Sequence, residues 1–165
     1  MEIKTTRITI GKLEARLAKS VHLNSLDDDN RRFVPDEVFE TVQDAKDAIE
    51  FLITCYSNKE GPFVYAVYES GLHIGHVQVA KVDQGWEVGY HIAKEFTGKG
   101  YATEALKAFV PVVMQKLCIN HLYGICDTEN YASQRVLEKS GFKRCVNRLA
   151  KCSTKSQLTY ELVRP

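Results

Sequence analysis

The chain has 165 residues, 44% of them apolar, and its 22 basic and 21 acidic side chains leave a net charge of +1. That length suits one domain with a real core, so a single domain over residues 1–165 is expected. The near-neutral balance excludes a global pull toward nucleic acid or anionic lipid, so a charged ligand has to be held by local geometry.

Residues 1–13 alternate polar and apolar and lack the apolar block of a signal peptide. No apolar run is long enough to cross a bilayer. No membrane association and a cytoplasmic location are expected. The five cysteines, Cys55, Cys118, Cys126, Cys145 and Cys152, contain no C-x-x-C pair. Reduced thiols and no metal site are therefore expected.

In chain order, residues 5–10 set Arg7 and Thr9 against Ile8 and Ile10, a strand pattern. Leu13, Leu17 and Val21 start a helix that gives way to loop near Asn24. Residues 27–32 are polar and read as a solvated loop. Their three adjacent carboxylates lack the later Gly and Glu of a calcium loop. Thr41 and Asp44 have capping-box spacing ahead of the stripe Ala45, Ala48, Ile49 and Leu52. Three strands at 63–68, 72–82 and 86–92, joined by short turns, form an antiparallel meander. Gly75 marks a bulge or a close backbone approach. A period of two places His73 and His76 on opposite faces, unable to share one ion.

Residues 86–102 organise the rest. A strand runs into Thr97, Gly98, Lys99, Gly100, Tyr101, Ala102 and Thr103, after which Ala105, Leu106, Phe109, Val110, Val113 and Leu117 repeat at helical spacing. A strand feeding a glycine loop that opens a helix gathers unpaired N–H groups at a positive helix end, which suits a phosphate. A simple turn has the same glycines. The loop is neither a Walker loop nor a G-x-G-x-x-G fingerprint, because the upstream glycine of the first and the third glycine of the second are missing. Pro111 interrupts the stripe and should bend the helix. A strand at 122–126 follows, parallel to 86–92 through the crossover. A loop at 127–130 and a short helix at 133–139 come next. Residues 142–145 and 157–163 close the chain as a hairpin.

The loop resembles the acyl-CoA pyrophosphate pattern Q/R-x-x-G-x-G/A of the GNAT N-acetyltransferase superfamily, with Thr97 in the Q/R place and Gly100 and Ala102 at the small positions. Thr97 is the departure; it removes a long polar side chain but no backbone donor. Asn130, Ser133 and the run Val136, Leu137, Glu138, Lys139, Ser140, Gly141, Phe142 are similar to the N-x-x-S and V-L-E-K-x-G-F segments of one branch. That branch contains the ribosomal-protein N-terminal acetyltransferases. The likeness spans roughly residues 63–142.

This resemblance implies a mixed α/β fold: a twisted mixed sheet of about six to seven strands, flanked by about four helices, with a V-shaped opening between the fourth and fifth strands. It implies acetyl-CoA as cosubstrate and a primary amine as acceptor, on a monomer or homodimer. Backbone at Tyr90, His91 and Ile92 would pair with the pantetheine arm, and an N–H near Ile92 would steady the thioester oxygen. The pyrophosphate would rest on the loop from Gly98 to Thr103, with Lys99 either beside it or in solvent. Asn130 would contact pantetheine, or cap a helix. Glu87 corresponds to the family glutamate that accepts the amine proton; its other reading is a strand-edge carboxylate. Ser133, or Tyr131, would serve the departing thiolate. A branch glutamate after the Gly-Phe pair has no counterpart between Phe142 and Tyr160. The pair of short helices around residues 31–39 fits an acceptor lid, with Phe33 and Phe39 as candidate contacts. A non-catalytic acyl-CoA-binding module, or a phosphate-binding domain unrelated to CoA, would keep the same loop.

Overall fold

The computed structural model describes residues 1–83, 85–145 and 156–164. Among them one sheet of eight strands runs in the order β1-β2-β3-β4-β5-β6-β8-β7. The strands are β1 Ile3–Lys4, β2 Ile8–Lys12, β3 Phe63–Glu69, β4 Leu72–Val82, β5 Gly85–Ile92, β6 His121–Asp127, β7 Lys143–Cys145 and β8 Gln157–Val163. Five α-helices accompany them: α1 Ala18–Ser25, α2 Asp28–Phe33, α3 Val42–Cys55, α4 Tyr101–Leu117 and α5 Tyr131–Lys139. The mixed α/β architecture is the one expected. The short edge strand β1 takes the count past seven, and α2 takes the helices past four. The expected opening, between the strands containing Trp86 and Leu122, falls between β5 and β6.

The sheet separates two apolar layers. On one face Val77, Val79, Val88 and Leu122 meet Leu106, Phe109 and Met114 of α4 and Leu137 of α5. On the other, Val64 and Ala66 meet Leu17, Ala18 and Ile49. The α3 capping box forms as its sequence prescribes, Thr41 accepting from the Asp44 N–H and Asp44 from the Thr41 N–H. Pro111 does not end α4, which continues through it. Pro111 and Lys107 are both exposed, so the carbonyl that loses its donor lies on the wet side of the helix.

Two expectations need correction. Residues 27–32 are largely helical: Asp27 caps α2 by accepting from the Asn30 N–H. Asp28 and Asp29 then stand in its first turn and Arg31 and Arg32 in its last, the arrangement that complements a helix dipole. His73 and His76 share a face. Tyr68 pairs with His73 and Ala66 with His76, while the register shifts between Val67 and Tyr68, so Ile74 is the extra residue of a bulge. The strand period is broken there, and the alternation that separates the two histidines no longer applies.

Gly75, beside that bulge, has φ +154°, and a Cβ on it would lie 2.0 Å from the His91 carbonyl oxygen. That neighbour is backbone of the central strand and cannot swing aside. Gly75→Ala should destabilise the fold by about 3 kcal/mol or more, or prevent folding, as read by urea unfolding of the variant against the parent.

Candidate active site

The strands β5 and β6 are parallel and pair at Glu87 with Tyr123 and at Val88 with Gly124. Beyond Val88 and Gly124 they have no register partners, whereas β5 stays paired with β4 as far as Ile92 and β6 with β8 as far as Asp127. Tyr90, His91 and Ile92 therefore flank a gap along one edge of β5. Two features hold it. The bulge in β4 adds twist beside the end of β5. On the α4 side, Tyr90 reaches across to α5: its hydroxyl donates to the Ser133 carbonyl at 3.0 Å and lies 2.7 Å from Ser133 Oγ.

At the foot of the gap, residues 93–100 lead into α4. Gly98 and Gly100 take left-handed φ of +74° and +83°, Gly100 being the N-cap residue. No side chain caps this helix, so its first N–H groups are left for a ligand. Thr97 Oγ1 donates to the Lys94 carbonyl instead of reaching outward. Lys99 folds back, its Nζ 2.9 Å from the Glu95 carbonyl and over the Phe96 ring. Tyr101 stacks beneath Arg7, whose Cζ is 4.5 Å from the ring centroid. Ala102 is half-buried against the core, and Thr103 lines an open groove of about 740 Å³ with Gly100, Arg7, Lys107 and Lys139.

Arg7 was not among the sequence candidates, yet it braces this loop. Its Nη1 donates to the Lys99 carbonyl at 3.0 Å, and its Nε and Nη2 grip Glu104 at 2.7 and 2.6 Å. Desolvation would raise the Glu104 pKa, but hydrogen bonds from Thr5 and Arg7 outweigh it and hold the carboxyl below its ordinary value. An arginine in strand β2's approach and a glutamate in α4 carry no local pattern that links them.

The remaining candidates divide. Asn130 caps α5, its Oδ1 accepting from the Ser133 N–H at 3.0 Å, so the capping reading describes that atom. Ser133 Oγ sits between the Tyr90 hydroxyl and the Cys126 thiol. Burial pushes that thiol up to about 11, partly opposed by Ser133, so Cys126 is not a thiolate nucleophile at neutral pH. Burial likewise raises the Tyr90 phenol, which keeps its proton. Tyr131 is 67% exposed and points its ring at solvent rather than joining Tyr90 and Ser133.

Glu87, Gly89 and His91 alternate on the opposite face of β5 from Val88 and Tyr90. Beside them on β4 stand His76, paired with His91, and Gln78, paired with Gly89. The α2 region closes over this row. His91 Nε2 is 3.4 Å from Asp27 Oδ2, Gln78 donates to Glu37 at 2.7 Å, and His76 Nε2 is 3.3 Å from Glu37. Two exposed ion pairs fasten the cover on both sides of the gap, Asp29 with Lys94 and Arg32 with Glu129. Phe39 contributes its backbone, its carbonyl accepting from His22 Nδ1 at 2.8 Å, and Arg32 lies over the Phe33 ring.

Burial, helped by the charge of Glu37, raises the Glu87 carboxyl from an ordinary 4.5 to about 7. The folded state thus holds this proton more tightly than the unfolded chain does. The resulting stability is present below pH 4.5 and is lost as pH rises through about 7. Glu87→Gln, which stays neutral, should match the parent in acid and melt a few degrees higher near about pH 8, as read by thermal denaturation across pH.

A family model described as an acetyltransferase (GNAT) domain matches residues 7–143. The chain is 27% identical over 154 residues to the uncharacterized N-acetyltransferase YnaD of Bacillus subtilis (strain 168), the alignment covering 88% of each. A GNAT-family acetyltransferase structure from Bacillus anthracis matches with a TM-score of 0.81 at 24% identity, over 99% of this chain and 98% of that one. RimL, the ribosomal L7/L12 alpha-N-protein acetyltransferase, in complex with coenzyme A, matches with a TM-score of 0.84 at 15% identity, over 99% and 98%. The matched segment contains the parted strands, the glycine loop and α5, so this chain belongs to the GNAT acetyltransferase family.

Proposed function

We propose that the protein is an acetyl-CoA-dependent N-acetyltransferase that passes acetyl directly to a primary amine, a protein N-terminus or a small molecule, within a ternary complex. The observation that carries this reading is the parting of β5 from β6 after Val88 and Gly124, directly above an uncapped helix start with two left-handed glycines. An extended chain that lies along Tyr90, His91 and Ile92 would complete the missing pairing as an added strand. The N–H groups from Gly100 to Thr103 fit a diphosphate at its other end.

Bound acetyl-CoA supplies a thioester carbonyl. Each remaining task falls to this chain. An N–H near Ile92 steadies charge on the carbonyl oxygen. Glu87 takes a proton from the ammonium form of the acceptor and so frees its lone pair. A carbon–nitrogen bond forms as the carbon–sulfur bond breaks, and the nitrogen's second proton leaves as the sulfur gains one. Ser133 Oγ, 2.7 Å from the Tyr90 hydroxyl, turns its hydrogen from that oxygen to the departing sulfur. Holding the two substrates side by side accounts for much of the rate.

Free CoA should appear when the protein is incubated with acetyl-CoA and a panel of primary amines; tight CoA binding without release would identify a binding module instead. With an active amine, kcat/KM should rise with pH through about 7, as Glu87 ionises, and Glu87→Gln should lower kcat by about 100-fold and remove that limb. Gly100→Glu places a carboxylate where the diphosphate is to sit. Calorimetry should show CoA affinity reduced by about 100-fold or more, while Gly100→Asn, which tolerates left-handed backbone, folds as the parent does.

A further inference from the structure

One carboxylate on the covered face of β5 has no part in the steps above. Glu37 ends the turn Pro35–Glu37 between α2 and α3, and is held by Gln78 and His76 of β4. We infer that Glu37 is a specificity-determining residue that binds the cationic form of the acceptor amine and presents it to Glu87, an inference that rests on the transferase reading.

The placement is built by Gly89. A Cβ there would lie 2.6 Å from Gln78 Nε2, so the Gln78 side chain occupies the room above Gly89, in the row between Glu87 and His91. Gln78 then delivers the Glu37 carboxylate to the same patch of sheet as Glu87. The groups acting on Glu37 are two imidazoles and an amide, with no lysine or arginine among them. Its ion-pair partner His76 is charged only when protonated, so a cationic ligand would add a permanent positive charge beside this carboxylate. The Glu37 side chain is 31% exposed, with Oε1 accepting from Gln78 and Oε2 beside His76, so a cationic amine would join these partners at the carboxylate.

The two carboxylates are pushed apart in acidity, which divides their work. Burial would raise Glu37, but His76, Gln78 and His91 hold it down to about 2, so it stays ionised throughout the working range. Glu87 titrates instead, near about 7. The groups beside Glu87 are Glu37 from the cover, which acts on its charge, its register partner Tyr123 on β6, and the uncharged Ala80 opposite it on β4. Of these, Glu37 is the one whose charge raises Glu87.

Steady-state kinetics of the full chain test this with two acceptors, a strongly basic alkylamine and an arylamine uncharged at the assay pH. Glu37→Gln should raise KM for the alkylamine by about 10-fold or more, leave KM for the arylamine and for acetyl-CoA within about twofold, and move the limb of the kcat/KM profile to lower pH. Glu37→Asp, which keeps the charge, should regain most of the alkylamine affinity. Equal losses for both amines and for acetyl-CoA, or an unmoved pH limb in a folded Glu37→Gln, would overturn the inference while leaving the transferase reading in place. A parent protein that binds CoA but releases none from acetyl-CoA with any amine would end both.

Discussion

The parting of two neighbouring parallel strands is the constraint on which the rest depends. Buried backbone N–H and C=O groups need partners, so a sheet opens in its middle only where something else can satisfy them. Here β5 keeps its bonds to β4, and β6 keeps its bonds to β8, so each strand loses partners on one side alone. The opening is held from both faces. Tyr90 braces it from the α5 side through Ser133, and the α2 cover clasps it from the other through Asp27, Asp29, Arg32 and Glu37.

The strand beside that opening presents two chemically different faces. The alternation of β5 sends Val88 and Tyr90 toward α4 and α5 and sends Glu87, Gly89 and His91 toward the cover. A ligand seated along the strand edge would meet a hydroxyl pair on one side and a carboxylate–histidine cluster on the other. The hydroxyl pair and the carboxylate are thus kept apart by the thickness of the sheet. Their acidities are kept apart by burial, which leaves the phenol protonated and brings Glu87 to titrate near about 7.

The glycine loop depends on a partner distant in the chain. Without Arg7, the Lys99 carbonyl and the Glu104 carboxylate would each lose a bond that fixes the turn into α4. Such pre-organisation lowers the ordering cost when an anion binds. Lys99, by contrast, spends its ammonium on the Glu95 carbonyl and the Phe96 ring.

Much was legible in the chain's own order. Apolar period and turn residues located the meander, α3 with its capping box, α4, the crossover to β6 and the glycine loop, because each is set by contacts between residues close in sequence. The same local logic misread residues 27–32, whose charge run looks solvated until Asp27 is seen as a cap, and it misread His73 and His76, since a bulge is a property of the pairing with β3 and not of β4 alone. Only the tertiary structure brought Glu37 to His76 and Gln78, Arg7 to Glu104, and Tyr90 to Ser133. Those pairs join segments separated by 39 to 97 positions. No periodicity reaches that far; the folded sheet selects the partners when it sets which strand edges and faces come together.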